Sequence, residues 1–284
     1  MQMTIDASVL LLVLLAAIMH AAWNAFVRSG SDTLLSLFSV KALTILIAVG
    51  VLFVTGPPAI ESAPYLVLSA AINGFYFYCL AKAYSAGDLS ICYPIARGVA
   101  PVAVLLLSML VLGEVLPLPA YAGITVISIG ITLLALRRDK ALPPPAGIGW
   151  ALAVGLAIAG YTMTDGVGAR MSKNPVGYTA VLNLLTGILL CTAVVFLRGW
   201  NAALASLANW KIGLMGGTLM FGAYALVVYA LTRAPVASVA ALRETSVIFA
   251  AVIGTMILKE PLGVQRVIAS VFVAVGVATL VNLR

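Results

Sequence analysis

Ten stretches of about twenty mostly apolar residues, separated by short connections, run the length of the chain. A hydrocarbon core about 30 Å thick takes about 20 residues of α-helix to cross, so stretches of this length and number predict repeated membrane crossing. The spans are expected near 8–28, 33–54, 64–84, 88–112, 117–137, 147–168, 175–197, 208–232, 236–258 and 263–283. Breakers such as Gly56, Pro57 and Pro58, the Pro117/Pro119 pair, and Pro143, Pro144 and Pro145 bound them. Transmembrane β-strands would alternate polar and apolar residues, which the run from Val102 to Leu112 does not do, so the spans are read as helices.

Composition agrees. Apolar residues make up 63% of the 284 and charged residues 9%, against about 45–50% and about 25% in soluble domains. Sixteen basic residues dispersed over short loops do not build a nucleic-acid face, despite a net charge of +7. Cys79, Cys92 and Cys191 all fall inside apolar runs and read as small buried hydrophobes, with no disulfide or metal framework. The first six residues lack the basic region of a signal peptide, so the first apolar run is expected to be a retained span.

The one distinctly polar connection, Arg137 to Lys140, sits at the midpoint and divides the chain into five spans and five. Internal matches support a duplication. Gly113 and Glu114 after span 4 correspond to Lys259 and Glu260 after span 9, and seventeen residues before each glutamate stands an arginine, Arg97 and Arg243. Phe75 and Tyr78 match Phe221 and Tyr224 at the same offset of 146. His20, Trp23 and Asn24 of span 1 take the places of Tyr161, Thr164 and Asp165 in span 6. Five is odd, so the halves enter the membrane with opposite orientation and form an inverted repeat. The expected fold is therefore an all-α membrane protein of ten transmembrane helices, two inverted five-helix repeats over 1–140 and 141–284 around a central cavity.

With two five-helix halves, short loops and an apolar helix running from Pro101 to Gly113 and Glu114, the chain resembles the EamA branch of the drug/metabolite transporter superfamily over essentially its whole length. Its general look is similar to bacterial amino acid exporters, those for aromatic amino acids in particular. The second half departs from the pattern, with Val247 where the first has Pro101 and Lys259 where it has Gly113. The resemblance implies a multi-pass protein of a bacterial inner membrane, a small-molecule substrate such as an amino acid, the bilayer as its surroundings, and no cofactor or metal.

A charged side chain at mid-bilayer costs about 2.5–3.5 kcal/mol on insertion scales, so those retained should face an interior, a partner or a water-filled cavity. His20, Lys41, Lys82, Arg97, Asp165, Arg243 and Glu244 are the ones to weigh. His20, Trp23 and Asn24 share one helix face, as do Tyr161, Thr164 and Asp165, and repeat symmetry sets the two stripes on opposite walls of one space. Either a stripe touches substrate, or both are interhelical hydrogen bonds worth about 0.6 kcal/mol each. Arg97 lies between Pro94 and Pro101 and next to Gly98, so span 4 is expected to be bent or partly unwound there. Arg97 then either clamps a substrate carboxylate or pairs with Asp165 or Glu244. Arg243 and Glu244 point about 100° apart on a helix, one toward the cavity and the other toward a neighbouring helix.

Aromatics cluster in span 3 as Phe75, Tyr76, Phe77 and Tyr78, with Tyr84, Tyr93, Tyr161, Phe221, Tyr224 and Tyr229 elsewhere. Tyr78 and Tyr224 are expected to line the cavity as symmetry mates within small-residue helices, which suits aromatic or apolar solutes. Glu114 and Glu260 read as caps on the helices that follow them. Lys82 can snorkel to a helix end. Lys41 lies deeper, and its sequence context gives no account of it.

The leading reading is a secondary transporter that moves a small organic solute, amino acid or similar metabolite, by alternating access. A drug-like or other metabolite is the substrate alternative, and a pore or non-transporting partner subunit the functional one. No Walker A loop is present, so ATP bound by this chain is not the energy source. Proton coupling, if used, falls to His20, Asp165 or Glu244. A membrane-embedded enzyme is disfavoured: one histidine cannot make an H-E-x-x-H zinc site, and no G-x-S-x-G elbow exists. Lys and Arg are more numerous in connections after odd-numbered spans, which puts the termini outside by the positive-inside rule. The resemblance implies both termini in the cytoplasm instead, and the expectation follows it because the bias comes largely from the midpoint cluster.

Overall fold

A computed structural model describes residues 5–28, 30, 32–135, 144–256 and 263–281. The midpoint cluster, the boundary at 140/141, and Lys259, Glu260 and Pro261 lie outside the described residues. The helices are α1 (Ala7–Arg28), α2 (Thr33–Thr55), α3 (Ala63–Ala86), α4 (Leu89–Leu112), α5 (Leu118–Thr132, continued by a 3₁₀ turn Leu133–Ala135), α6 (Pro145–Met171), α7 (Pro175–Arg198), a short α8 (Trp200–Ser206), α9 (Trp210–Leu231), α10 (Val236–Arg243), α11 (Ser246–Met256) and α12 (Val264–Val281). They make ten candidate spans, the ninth being α10 and α11 in line. Every predicted span is present.

Local chemistry sets the ends. Asp32 caps α2, its carboxylate accepting from the amides of Leu34 and Leu35. The Leu35 amide, with Arg198 and the Leu34 amide, holds the Asp32 carboxyl below the usual carboxylate range. Pro145 and Pro175 open α6 and α7, where a missing N–H is harmless. Large apolar side chains such as Phe53, Leu110, Phe196 and Met256 stand exposed on the outside of the bundle, as lipid-facing residues should.

Packing obeys the duplication. α3 lies along α6 as α9 lies along α1; α4 lies along α6 as α10 and α11 lie along α1; α2 meets α7, and α5 meets α12, across the pseudo-twofold axis. The last of these contacts depends on glycine. A Cβ at Gly123 would stand 2.6 Å from the Gly276 carbonyl oxygen, and one at Gly276 would stand 2.6 Å from the Gly123 carbonyl oxygen. Backbone blocks backbone on both sides, so neither helix can yield by turning a rotamer. Gly123→Val is expected to lower the detergent unfolding midpoint, with a cost near the upper end of the ~1–3 kcal/mol usual for overpacking. Gly149→Ala, where an added Cβ meets nothing within 4 Å, is expected to leave it unchanged or raise it.

An even number of spans brings both ends of the described chain to one face of the bundle, here called the terminal face. That face is stitched across the repeats. Ala59 donates to the Ser172 carbonyl at 2.9 Å, and the Asn174 amide donates to the Thr55 and Gly56 carbonyls at 2.9 and 3.1 Å. Glu114 accepts from the Val236 amide at 3.1 and 3.0 Å, one bond to each carboxylate oxygen, and pairs with Arg170 at 3.3 Å. Arg170 in turn donates to the carbonyls of Leu231 and Ala234 at 2.9 and 3.1 Å. Glu114 is thus a helix cap as expected, but of α10 in the other repeat and not of α5, because Gly113 (φ 62°) turns the chain back there. α10 is buried around its whole circumference from Val236 to Leu242, whereas α11 and the first half of α9 are much more exposed. The second repeat is thus more closely packed toward the terminal face than toward the opposite one, where Arg198 and Asp32 pair at 2.9 Å.

Candidate functional site

The polar residues predicted from the sequence converge where the two repeats meet, but with different partners from those expected. Asp165 of α6 has no accessible surface. One carboxylate oxygen accepts from the Tyr178 hydroxyl at 2.9 Å, and the other accepts a short hydrogen bond from the Tyr224 hydroxyl. It forms no ion pair with a described residue, so the notion that Asp165 orients Arg97 is corrected: two phenols hold it. Tyr178 escaped the sequence reading. α6 and α7 form an antiparallel hairpin around the Ser172–Asn174 turn, with Asp165 seven residues before Ser172 and Tyr178 four after Asn174. A tyrosine so close to the other side of a short turn was the available signal.

Arg97, 6% exposed, pairs with Glu244, 3% exposed, at 2.9 Å, and also approaches the Ser246 hydroxyl at 3.4 Å. Two full charges are thereby removed from the electrostatic balance of a low-dielectric region. Glu244 sits at a break in span 9. Its amide bonds to the Ala241 carbonyl at 3.0 Å and that of Thr245 to the Leu242 carbonyl at 3.1 Å, so the turn tightens to i→i−3 bonds. The Thr245 hydroxyl also donates to the Leu242 carbonyl at 2.8 Å, competing with helix continuation.

The break therefore falls in span 9, and the expectation of an unwound span 4 is corrected. α4 runs unbroken through Pro94 and Pro101 because it is clamped on two sides. A Cβ at Gly98 would stand 2.1 Å from the Thr132 hydroxyl of α5, and one at Gly155 of α6 would stand 2.8 Å from the Ala96 carbonyl. α4 has no room to unwind.

Arg243 is half-buried and has neither a salt bridge nor a side-chain hydrogen bond to a described residue. It lies within electrostatic reach of Asp165, His20 and Glu244. With Glu244, Pro101, Ile158 and Thr162 it lines an internal cavity of about 10 Å³, space for about one water. Once Arg97 and Glu244 cancel, one uncompensated cation and one uncompensated carboxylate remain, Arg243 and Asp165.

Aromatic rings adjoin Asp165, Tyr224 by its hydrogen bond and Tyr161 one turn before it on α6. Tyr161 meets Tyr76 edge to face with centroids 6.1 Å apart, and Tyr76 meets Phe77 at 5.1 Å. Tyr93 lies within electrostatic reach of Arg97 and Tyr76. His20 and Trp23 meet edge to face at 5.2 Å, and the Asn24 amide bonds back to the His20 carbonyl at 2.8 Å. His20 and Tyr76 are both half-buried. Tyr78 does not join them. It is 52% exposed, against Trp150 and beneath Lys82 on the outer side of α3, and Tyr76 takes the inward position expected of it. Four consecutive aromatics must point around the helix, and the sequence alone did not fix which one faces inward. The symmetry mates Tyr78 and Tyr224 thus differ in surroundings, as do the unbroken span 4 and the broken span 9.

A ten-span bundle of inverted repeats, with a broken helix and unpaired charges at the repeat interface, is the architecture of a membrane transporter. The EamA-like transporter family model matches the chain twice, over residues 7–136 and 145–282. The protein belongs to that family, within the drug/metabolite transporter superfamily, and family membership makes it a transporter of small molecules. No functionally curated protein matches it. One crystal structure, described only as that of a protein, superposes with a TM-score of 0.75 over 98% of this chain and 99% of its own, at 18% identity, a likeness of fold alone.

Proposed function

We propose that this protein exports small organic metabolites, amino acids with aromatic or other apolar side chains in particular, across a bacterial inner membrane by alternating access, with residues 1–140 and 141–284 as the two rocking units. The observation that carries the reading is the pair of uncompensated charges at the repeat interface. An α-amino acid presents a carboxylate to Arg243 and an ammonium toward Asp165, while Tyr76, Tyr93, Tyr161, Tyr224, His20 and Trp23 offer apolar and aromatic surface to its side chain. Asn24 supplies a neutral polar contact on the same wall. Arg97 and Glu244 hold the interface together and act on the solute through it.

Closer packing of the second repeat toward the terminal face supports a carrier resting with one side closed. With both termini in the cytoplasm, as the family likeness favours, the looser side faces outward. Counterflow in proteoliposomes tests the reading with labelled phenylalanine, tyrosine and alanine. Saturable exchange of phenylalanine is expected, reduced at least tenfold by Arg243→Ala, since a hydrogen bond to a charged group is worth about 1.5–3 kcal/mol. Exchange that is absent for all three in a preparation that exchanges some other metabolite would overturn the amino acid assignment, and an ohmic current would replace the carrier by a pore.

A further inference from the structure

Lys41 of α2 is a cation inside the membrane for which the central site has no use. Helices α2 and α7 lie antiparallel in register: Arg198 meets Asp32 at one end and Asn174 meets Thr55 and Gly56 at the other. Lys41 is eight residues into α2 from Thr33, about 12 Å from the face opposite the termini. Its ammonium nevertheless bonds to the Asn183 amide oxygen at 3.3 Å and the Thr186 hydroxyl oxygen at 3.5 Å. Those residues stand fifteen and twelve positions before Arg198, about 22 and 18 Å from the same face. The side chain therefore runs toward the midplane, away from the nearer water, which is the reverse of snorkelling.

Both neighbours are oriented to accept. The Asn183 amide nitrogen donates to the Thr179 carbonyl at 3.0 Å, which turns its oxygen toward Lys41. The Thr186 hydroxyl donates to the Leu182 carbonyl at 2.9 Å, leaving its lone pairs for the amine. Two of three ammonium donors are thus spent on buried neutral oxygens. The third donor and the whole charge have no carboxylate among the described residues, the Cys191 thiol being the titratable group within electrostatic reach. Phe77 packs on the Phe38–Leu190 cluster flanking Lys41, and the ring sequence Phe77, Tyr76, Tyr161 leads from there to the helix that carries Asp165.

We propose that the Lys41 ammonium, positioned by the oxygens of Asn183 and Thr186, is a second binding point for the carboxylate of the transported solute, on the looser side of the Arg243 site. It rests on the amino acid reading for its place in transport, but carboxylate binding is measurable without transport. The probe is benzoate, with benzamide as the neutral isostere, added to the detergent-solubilised full chain in an Arg243→Ala background, which removes the unpaired cation of the central site. Benzoate is expected to raise the unfolding midpoint of Arg243→Ala and of Arg243→Ala/Lys41→Arg, with an apparent affinity at least tenfold weaker in Arg243→Ala/Lys41→Met. Lys41→Met removes a charge from the membrane while keeping the stem, and is expected to fold. No benzoate shift in the Arg243→Ala background, an undiminished shift with methionine, or an equal shift with benzamide would overturn the site. Loss of phenylalanine counterflow in the otherwise unaltered protein would overturn the transport reading and leave that result standing.

Discussion

Asp165→Asn is expected to abolish accumulation of phenylalanine driven by a pH gradient while leaving equilibrium counterflow within a few-fold of the unaltered protein. The reasoning starts from an imbalance. A carboxylate with no accessible surface and no cation at ion-pair distance among the described residues is held by neutral hydroxyl donors, Tyr178 and Tyr224 with Ser69 nearby. Ionisation in such a place is costly unless further donors or a cation approach. Arg243 is the one arginine in reach without a partner, and a bound ammonium group would serve equally. Movement of either toward or away from Asp165 during rocking changes the cost of its charge, which is the requirement for taking up a proton on one side and releasing it on the other. Asparagine keeps the volume and one acceptor oxygen but cannot exchange a proton. Undiminished gradient-driven accumulation in Asp165→Asn would remove Asp165 from the coupling. Asp165→Ala is the harsher change, since it leaves the Tyr178 and Tyr224 hydroxyls unpaired at about 1–3 kcal/mol each.

The largest loss of stability is expected from Arg97→Ala. It strands Glu244 as a buried charge, and removing one partner of such a pair costs about 3–5 kcal/mol. Arg97→Met/Glu244→Met removes both charges and is expected to recover most of that loss, because a buried pair and a well-packed apolar replacement are often close in free energy. Unfolding midpoints in detergent for Arg97→Met, Glu244→Met and the double variant close the cycle. A single variant as stable as the parent would mean that water reaches the pair. The double variant also separates two roles of Arg97: retained phenylalanine counterflow identifies it as a structural tie, and lost counterflow identifies it as a contact with the solute.

The sequence disclosed more of the fold than of the site, for a physical reason. Twenty-residue apolar runs have one stable form in lipid, so the number and order of the spans were legible and most helix ends fell within about three residues. The midpoint division and the arginine pair at a spacing of 146 announced the duplication. Pairing was harder, because it depends on rotation about each helix axis. Asp165 and Arg97 were both singled out, yet which acid met which base turned on the hairpin that brings Tyr178 to Asp165 and on the turn that brings Glu244 to Arg97. Span 4 shows the same limit. Its two prolines promised a distortion, but Gly98 and Gly155 let α5 and α6 press close enough to hold it helical. The helix that breaks contains neither proline nor glycine at the break.

α10 is eight residues long and is held at both ends by the same neighbour. At its start Glu114, just beyond α4, grips the Val236 amide; just past its other end Glu244 is gripped by Arg97 of α4. Two anchors tie α10 to α4 across the repeat boundary, so rocking of one repeat against the other has to release Glu114 from the Val236 amide or Glu244 from Arg97.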